Sequence, residues 1–266
     1  MRKVLLATAA AVGLTVVAVG AASAADLPPP VYVEVPHVVT PPPQVVTPPP
    51  VQAAGGWYLR GDIGYKLYSD PDASFNGDDF INEDLDDTWM FGVGIGYDTG
   101  TGLRGDVTFD YETQADFEGN LECIDVGCST GATEYSTERA DIEAYTALVN
   151  VYYDLPEVLG FTPYVGAGIG ASYLRTTDVT SVNPASINPT GVVDTHDGDG
   201  NWNFAWALMA GASYDVTDHI ALDFGYRYLN LGDAVSGPIT AQGVTEPIRY
   251  DDIDAHEFRA GVRYTF

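Results

Sequence analysis

From Trp57 to the C-terminus, apolar and polar positions alternate with a period of two. In 57–67 one parity holds Trp57, Leu59, Gly61, Ile63, Tyr65 and Leu67, and the other holds Tyr58, Arg60, Asp62, Gly64 and Lys66. Successive residues of a strand point to opposite faces, so the pattern predicts a strand with one apolar and one charged face. The same alternation recurs seven more times. It predicts strands over 57–67, 89–98, 103–112, 142–153, 164–175, 202–214, 220–229 and 253–266.

The face opposite the apolar one decides what these strands build. It carries Arg60, Asp62, Lys66, Arg104, Asp106, Asp110, Glu112, Asp223, Arg227, Glu257, Arg259 and Arg263, six basic and six acidic residues. Aromatic residues mark the ends of the apolar face: Trp57 and Tyr65, Trp89 and Tyr97, Trp202 and Tyr214. An apolar band between aromatic girdles around a polar interior is the signature of a transmembrane β-barrel, and each segment has about the 9–11 residues that a tilted crossing needs. The connections between the predicted strands run 21, 4, 29, 10, 26, 5 and 23 residues, long and short in strict alternation. Outer-membrane barrels alternate short periplasmic turns with long outer loops in this way. The fold class is therefore all-β, an eight-stranded antiparallel up-and-down transmembrane β-barrel over 57–266, with both mature termini on the periplasmic side. An eight-stranded lumen is just wide enough to be filled by side chains, so the inward charges are expected to pair with one another.

The first 24 residues read as a secretory signal peptide, with Arg2 and Lys3 before an apolar run and Ala22-Ser23-Ala24 before the cleavage site. Residues 25–56 are Pro-rich and repeat VVTPPP twice. Proline fixes φ and lacks a donor, so this segment favours an extended polyproline II arm, the composition of a stiff spacer. The whole chain has 38 acidic against 11 basic residues and a formal charge of −27, which argues against nucleic-acid partners. Most of the acids fall in the four long connections. Against anionic lipopolysaccharide such a crown would need Mg²⁺ or Ca²⁺ between the two, although a solvated, self-repelling surface accounts for it as well.

Candidate chemistry is sparse. The four histidines, His37, His196, His219 and His256, are scattered among the arm, a long loop, a short turn and a strand end, so no catalytic constellation forms and no enzyme activity is expected. The stretch 194–200, DTHDGDG, resembles a calcium loop only loosely. It lacks the twelfth-position Glu and has His196 at a usual ligand place, so no metal and no cofactor is assigned. Cys123 and Cys128, with four residues including Gly127 between them in the second long loop, are expected to form a disulfide after export.

The segments GWYLRGDIGY at 56–65, NVYYDL at 150–155, PYVGAGIG at 163–170 and HEFRAGVRYTF at the C-terminus, with ADLP at the mature N-terminus, resemble the single-domain outer-membrane barrels of alphaproteobacteria, of the porin-like or opacity type. The resemblance covers Ala25 to Phe266. It implies that the terminal Phe266, with Tyr264 two residues earlier, is read by the barrel-assembly machinery. It also implies that an Ala-Asp opening, here Ala25-Asp26, can be joined to peptidoglycan through its α-amine by a periplasmic transpeptidase. Lys66 is the only lysine left after signal removal and has inward parity, so the Ala25 amine is the one primary amine expected on the periplasmic side. The expected role is a structural outer-membrane protein that contributes to envelope integrity. A small channel, or a surface recognition protein acting through its acidic loops, is the alternative.

Overall fold

The computed structural model describes residues 55–122, 134–186, 188–241 and 244–266. Eight long strands form the wall: β1 (Gly56–Tyr68), β2 (Thr88–Asp98), β3 (Leu103–Glu122), β4 (Tyr135–Asp154), β5 (Phe161–Val182), β6 (Gly200–Asp215), β7 (Ile220–Val235) and β8 (Arg249–Thr265). Each is antiparallel to its neighbours in sequence, and β8 pairs back onto β1 from Tyr58↔Thr265 to Tyr68↔Ala255. The last pairing closes the sheet, so neither β1 nor β8 presents a free edge along the paired region. No described helix is long and apolar enough to cross a membrane.

The predicted facing holds. Leu59, Ile63, Trp89, Val93, Phe109, Val149, Ile169, Phe204, Phe224 and Phe258 are exposed on the outside, while Arg60, Asp62, Lys66, Arg104, Asp106, Arg227 and Glu257 are buried inside. Direct cross-strand pairing places Tyr111, Tyr145, Tyr173 and Trp202 side by side on β3 to β6, a continuous aromatic belt toward the long-connection end. Trp57 packs against Tyr97, and Phe161 against Tyr214, toward the other end. The sequence placed Trp57, Tyr97, Tyr214 and Trp202 in these girdles, and Tyr111, Tyr145, Tyr173 and Phe161 complete them.

The short connections are tight. Between β4 and β5, Val158 and Phe161 exchange backbone hydrogen bonds of 2.8 and 3.1 Å, with Leu159 at φ 56° and Gly160 at φ 85°. Two successive positive φ values give the mirror-image turn whose twist suits a two-residue hairpin.

The strands are longer than predicted at the long-connection end. β3 runs on to Glu122, β4 starts at Tyr135, β5 reaches Val182, β7 reaches Val235 and β8 starts at Arg249. The cause is a set of β-bulges. The β3–β4 register shifts between Glu112 and Ala115, the β4–β5 register shifts opposite Asp178 (φ 49°), and the β7–β8 register shifts around Gly232 (φ 81°) and Asp252 (φ 58°). An extra residue exchanges inward and outward parity. On β3 the buried positions therefore pass from 106, 108, 110 and 112 to 115 and 117, and on β5 from 172, 174 and 176 to 179 and 181. Beyond the bulges the inner face is mainly apolar, with Ser136, Glu138, Ser181 and Ser236 as its buried polar members. Phe117, Val179, Ala234, Ile248, Tyr250 and Ile253 pack with Ala73, Phe80 and Leu85 from the first long connection into one core.

Candidate functional site

The lumen is filled, and its filling is charged on one side. β1, β3, β7 and β8 supply the ionised groups, and the facing wall of β4 to β6 supplies Ala144, Leu148, Ala205, Ala207 and Met209. Arg60 forks onto Asp62 with two bonds of 2.8 Å and also donates to Asp106 at 3.0 Å and the Tyr152 hydroxyl at 3.1 Å. Arg259 reaches Asp62 at 3.2 Å and Glu257 at 3.2 Å. Arg227 donates to Asp110 at 2.6 Å and Glu257 at 2.7 Å. Lys66 sits against Glu112, with Glu257 at 3.6 Å. The chain of contacts from Asp106 through Arg60, Asp62, Arg259, Glu257 and Arg227 to Asp110 is continuous, and these side chains are almost wholly removed from solvent. Each of these ions has at least one counter-ion in contact, while Arg227 Nε, Arg259 Nη2 and one oxygen each of Asp110 and Glu257 lack a hydrogen-bond partner, so their desolvation is repaid only in part.

Three predicted members sit apart, Arg104, Asp223 and Arg263. Arg104 does not join the acids of the strands beside β1. Its Nε donates to Asp154 at 2.8 and 2.9 Å, and its guanidinium lies 4.7 Å from the Tyr152 ring centroid and 4.8 Å from that of Tyr164. Asp154 escaped the sequence reading because strand four was ended one residue short, at Tyr153. Arg263 and Asp223 approach only to 3.9 Å, with the Arg263 guanidinium over the Tyr58 ring.

Toward the long connections the wall extends into a crown where His196, noted in the sequence, meets Ser181 and Glu138, which the sequence did not single out. Ser181 donates its hydroxyl to the Glu138 carboxylate and lies 2.9 Å from His196 Nε2. Here the hydroxyl stands between carboxylate and imidazole. A nucleophilic triad needs the imidazole in the middle, so that it can take the hydroxyl proton and be oriented by the acid. The group instead ties the short strand 194–196 to β4 and β5. Burial raises the Glu138 carboxyl above its ordinary range, against the lowering effect of Ser181, Ser136 and His196. Asp141 is raised by its burial and by the neighbouring Asp116, directly across the β3–β4 ladder.

The remaining histidines lie on separate elements. His219 is in the β6–β7 turn, 2.9 Å from the Thr265 carbonyl, and His256 is on the outer face of β8, 2.7 Å from the Tyr226 hydroxyl. Tyr264 and Phe266 are exposed at the short-turn end with their rings 5.3 Å apart, and the Phe266 amide donates to the Trp57 carbonyl at 3.0 Å. Ala25, Asp26, Cys123, Cys128 and His37 lie outside the described residues. Among the described residues no group of three or more His, Cys, Asp and Glu is arranged to hold a metal ion.

The family described as outer membrane protein beta-barrel domain matches residues 9–266. A Brucella abortus protein of uncharacterised function is 36% identical, the alignment covering 94% of this chain and 95% of that one. Outer membrane protein PagN of Salmonella typhimurium is 29% identical over 80% of this chain and 91% of its own. Among solved structures, OprG from Pseudomonas aeruginosa aligns with a TM-score of 0.49 and 18% identity, covering 80% of this chain and 96% of that one. The chain belongs to the outer-membrane β-barrel family, and its place is the cell outer membrane.

Proposed function

We propose that this outer-membrane barrel is a non-conducting structural element of the envelope, fastened to peptidoglycan by its N-terminal arm. One observation carries the non-conducting part: buried ion pairs run unbroken across the lumen from β1 through β8 and β7 to β3. An eight-stranded interior has no room beside such a network for a hydrated path, and the apolar core of the crown lies above it. The short-turn end, where β1 begins at Gly56, faces the periplasm in this reading, the compartment in which the arm is fastened. Its α-amine at Ala25 is the acceptor for a transpeptidase acyl group, and Asp26 completes the opening dipeptide.

The outer end carries a second role, surface recognition, because the crown is a packed extension of the wall rather than a set of separate loops. Rigid stems lower the ordering cost of binding. Divalent cations would join its carboxylates to lipopolysaccharide. Two measurements test the main reading. Reconstituted barrel in planar bilayers should give no unitary current steps, and sustained steps would return the channel reading. Lysozyme-digested sacculi should yield muropeptide linked to Ala25. Abundant membrane barrel with unmodified Ala25 would remove the tether and leave the barrel.

A further inference from the structure

The stretch 194–200, which the sequence reading set aside as a metal loop, forms one wall of a polar cleft on the flank of the crown. Strand 194–196 runs antiparallel to the end of β5, from Val179↔His196 to Ser181↔Asp194, and the chain then turns through Asp197, Gly198 and Asp199 into β6. The β5 bulge at Asp178 lies opposite this turn. The space between is lined by Tyr173, Arg175, Thr177, Asp178, Thr195 and Asp197.

The cleft is held in shape by its backbone. Thr176 and Asp199 exchange three hydrogen bonds of 2.8 to 3.2 Å. Gly237 donates to the Asp197 carbonyl at 2.8 Å, and His196 is tied inward to Ser181. A Cβ at Gly198 would stand 1.9 Å from the Thr176 carbonyl oxygen, so this position needs glycine, while one at Gly200 would stand 2.3 Å from the Tyr173 hydroxyl and would push that ring aside. The groups that line the cleft are therefore mainly side chains: the Asp178 and Asp197 carboxylates, threonine hydroxyls, the Arg175 guanidinium braced at 3.1 Å by Glu143, and the Tyr173 ring beside Trp202.

We propose that this cleft binds a neutral saccharide, a sugar carried on an outer-leaflet glycolipid. Vicinal sugar hydroxyls match a carboxylate that accepts two bonds and a guanidinium that donates two, while the C–H face of the ring matches an aromatic side chain. The acidic surroundings disfavour phosphorylated or carboxylated sugars. Position points to the glycolipid. Tyr173 also belongs to the aromatic belt with Tyr145 and Trp202, and such belts sit at headgroup level, so the cleft lies just above it, within reach of the neutral hexoses that a membrane glycolipid carries.

The test is isothermal titration of the full chain, refolded in detergent, with a neutral hexose oligosaccharide prepared from the outer core of lipopolysaccharide and, separately, with dextran and with CaCl₂. The expected result is saturable binding of the core oligosaccharide, weakened about tenfold or more by Asp197→Asn. Asp251→Asn, in another loop, should leave it unchanged, and both variants should keep wild-type heat-modifiable migration. Tyr173→Leu should weaken binding while Tyr173→Phe keeps it, which separates stacking from the hydroxyl. No binding of the oligosaccharide, equal binding by Asp197→Asn, preference for dextran, or a calcium response that Asp197→Asn abolishes would each overturn the assignment.

Discussion

Arg227 on β7 donates a hydrogen bond of 2.6 Å to Asp110 on β3, and in a closed ring of eight strands these two lie on opposite walls. The bond crosses the lumen at its full width. Both side chains are wholly buried, and the same guanidinium also holds Glu257. One arginine thus braces the barrel and fills it.

Removing that arginine should cost more than the bonds it makes. Arg227→Leu leaves Asp110 and Glu257 with one cation fewer inside the barrel, and loss of one partner from a buried ion pair costs about 3–5 kcal/mol. Urea unfolding in detergent micelles, followed by tryptophan fluorescence, should show the variant destabilised by that amount. A shift no larger than that of an exposed-pair variant such as Arg139→Leu, whose partner Glu118 is solvated, would mean that the lumen admits water.

Val93 tests the facing of the wall. It is 63% exposed at the middle of β2, between Phe91 and Ile95 on the same side. Val93→Arg places a charge on the lipid face near the bilayer midplane and should destabilise the inserted barrel by about 2–4 kcal/mol. Folding into lipid vesicles, measured by heat-modifiable migration, reads the change. Wild-type folding of Val93→Arg would contradict the outward assignment of this parity.

Acid pH should tighten the crown through Glu138. Burial raises its carboxyl, so the folded crown binds this proton more tightly than the unfolded chain does. The resulting stabilisation is complete below the ordinary glutamate value of about 4.3 and is lost as pH rises through the raised folded value. Proteolysis of the crown should accordingly be slower at mildly acid than at neutral pH. Glu138→Gln should be protected at neutral pH already and should lose most of the pH dependence. An unchanged profile in the variant would assign the effect to other acids such as Asp141 and Asp251, whose carboxyls are also raised by burial.

Phe266 should matter for assembly more than for stability. Its ring is 66% exposed and contacts only Tyr264 among the ring contacts, while its backbone amide, which any residue keeps, supplies the bond to Trp57. Phe266→Ala should lower the rate and yield of insertion by purified assembly machinery, with little change in the urea midpoint of the folded barrel. Equal loss in both measurements would make the residue an ordinary part of the wall.

The sequence by itself determined the barrel: strand number, the direction each side chain faces, both girdles and the identity of the buried charges. It could do so because period-two alternation is local, and because lipid and lumen demand opposite chemistry of neighbouring residues. Only the tertiary structure decided where the strands end and which charges meet. The predicted strands stop at Glu112, Arg175 and Leu229 and begin again at Ile253, each within a few residues of a bulge, since one inserted residue breaks the alternation while the hydrogen-bonded ladder continues. The signal was present out of phase, as in the alternation of Ala115, Phe117 and Gly119 on β3. The pairing of Arg227 with Asp110, of Arg104 with Asp154 and of Ser181 with Glu138 joins residues far apart in the chain, and which partners meet follows from the stagger and closure of the ring, which no local pattern encodes.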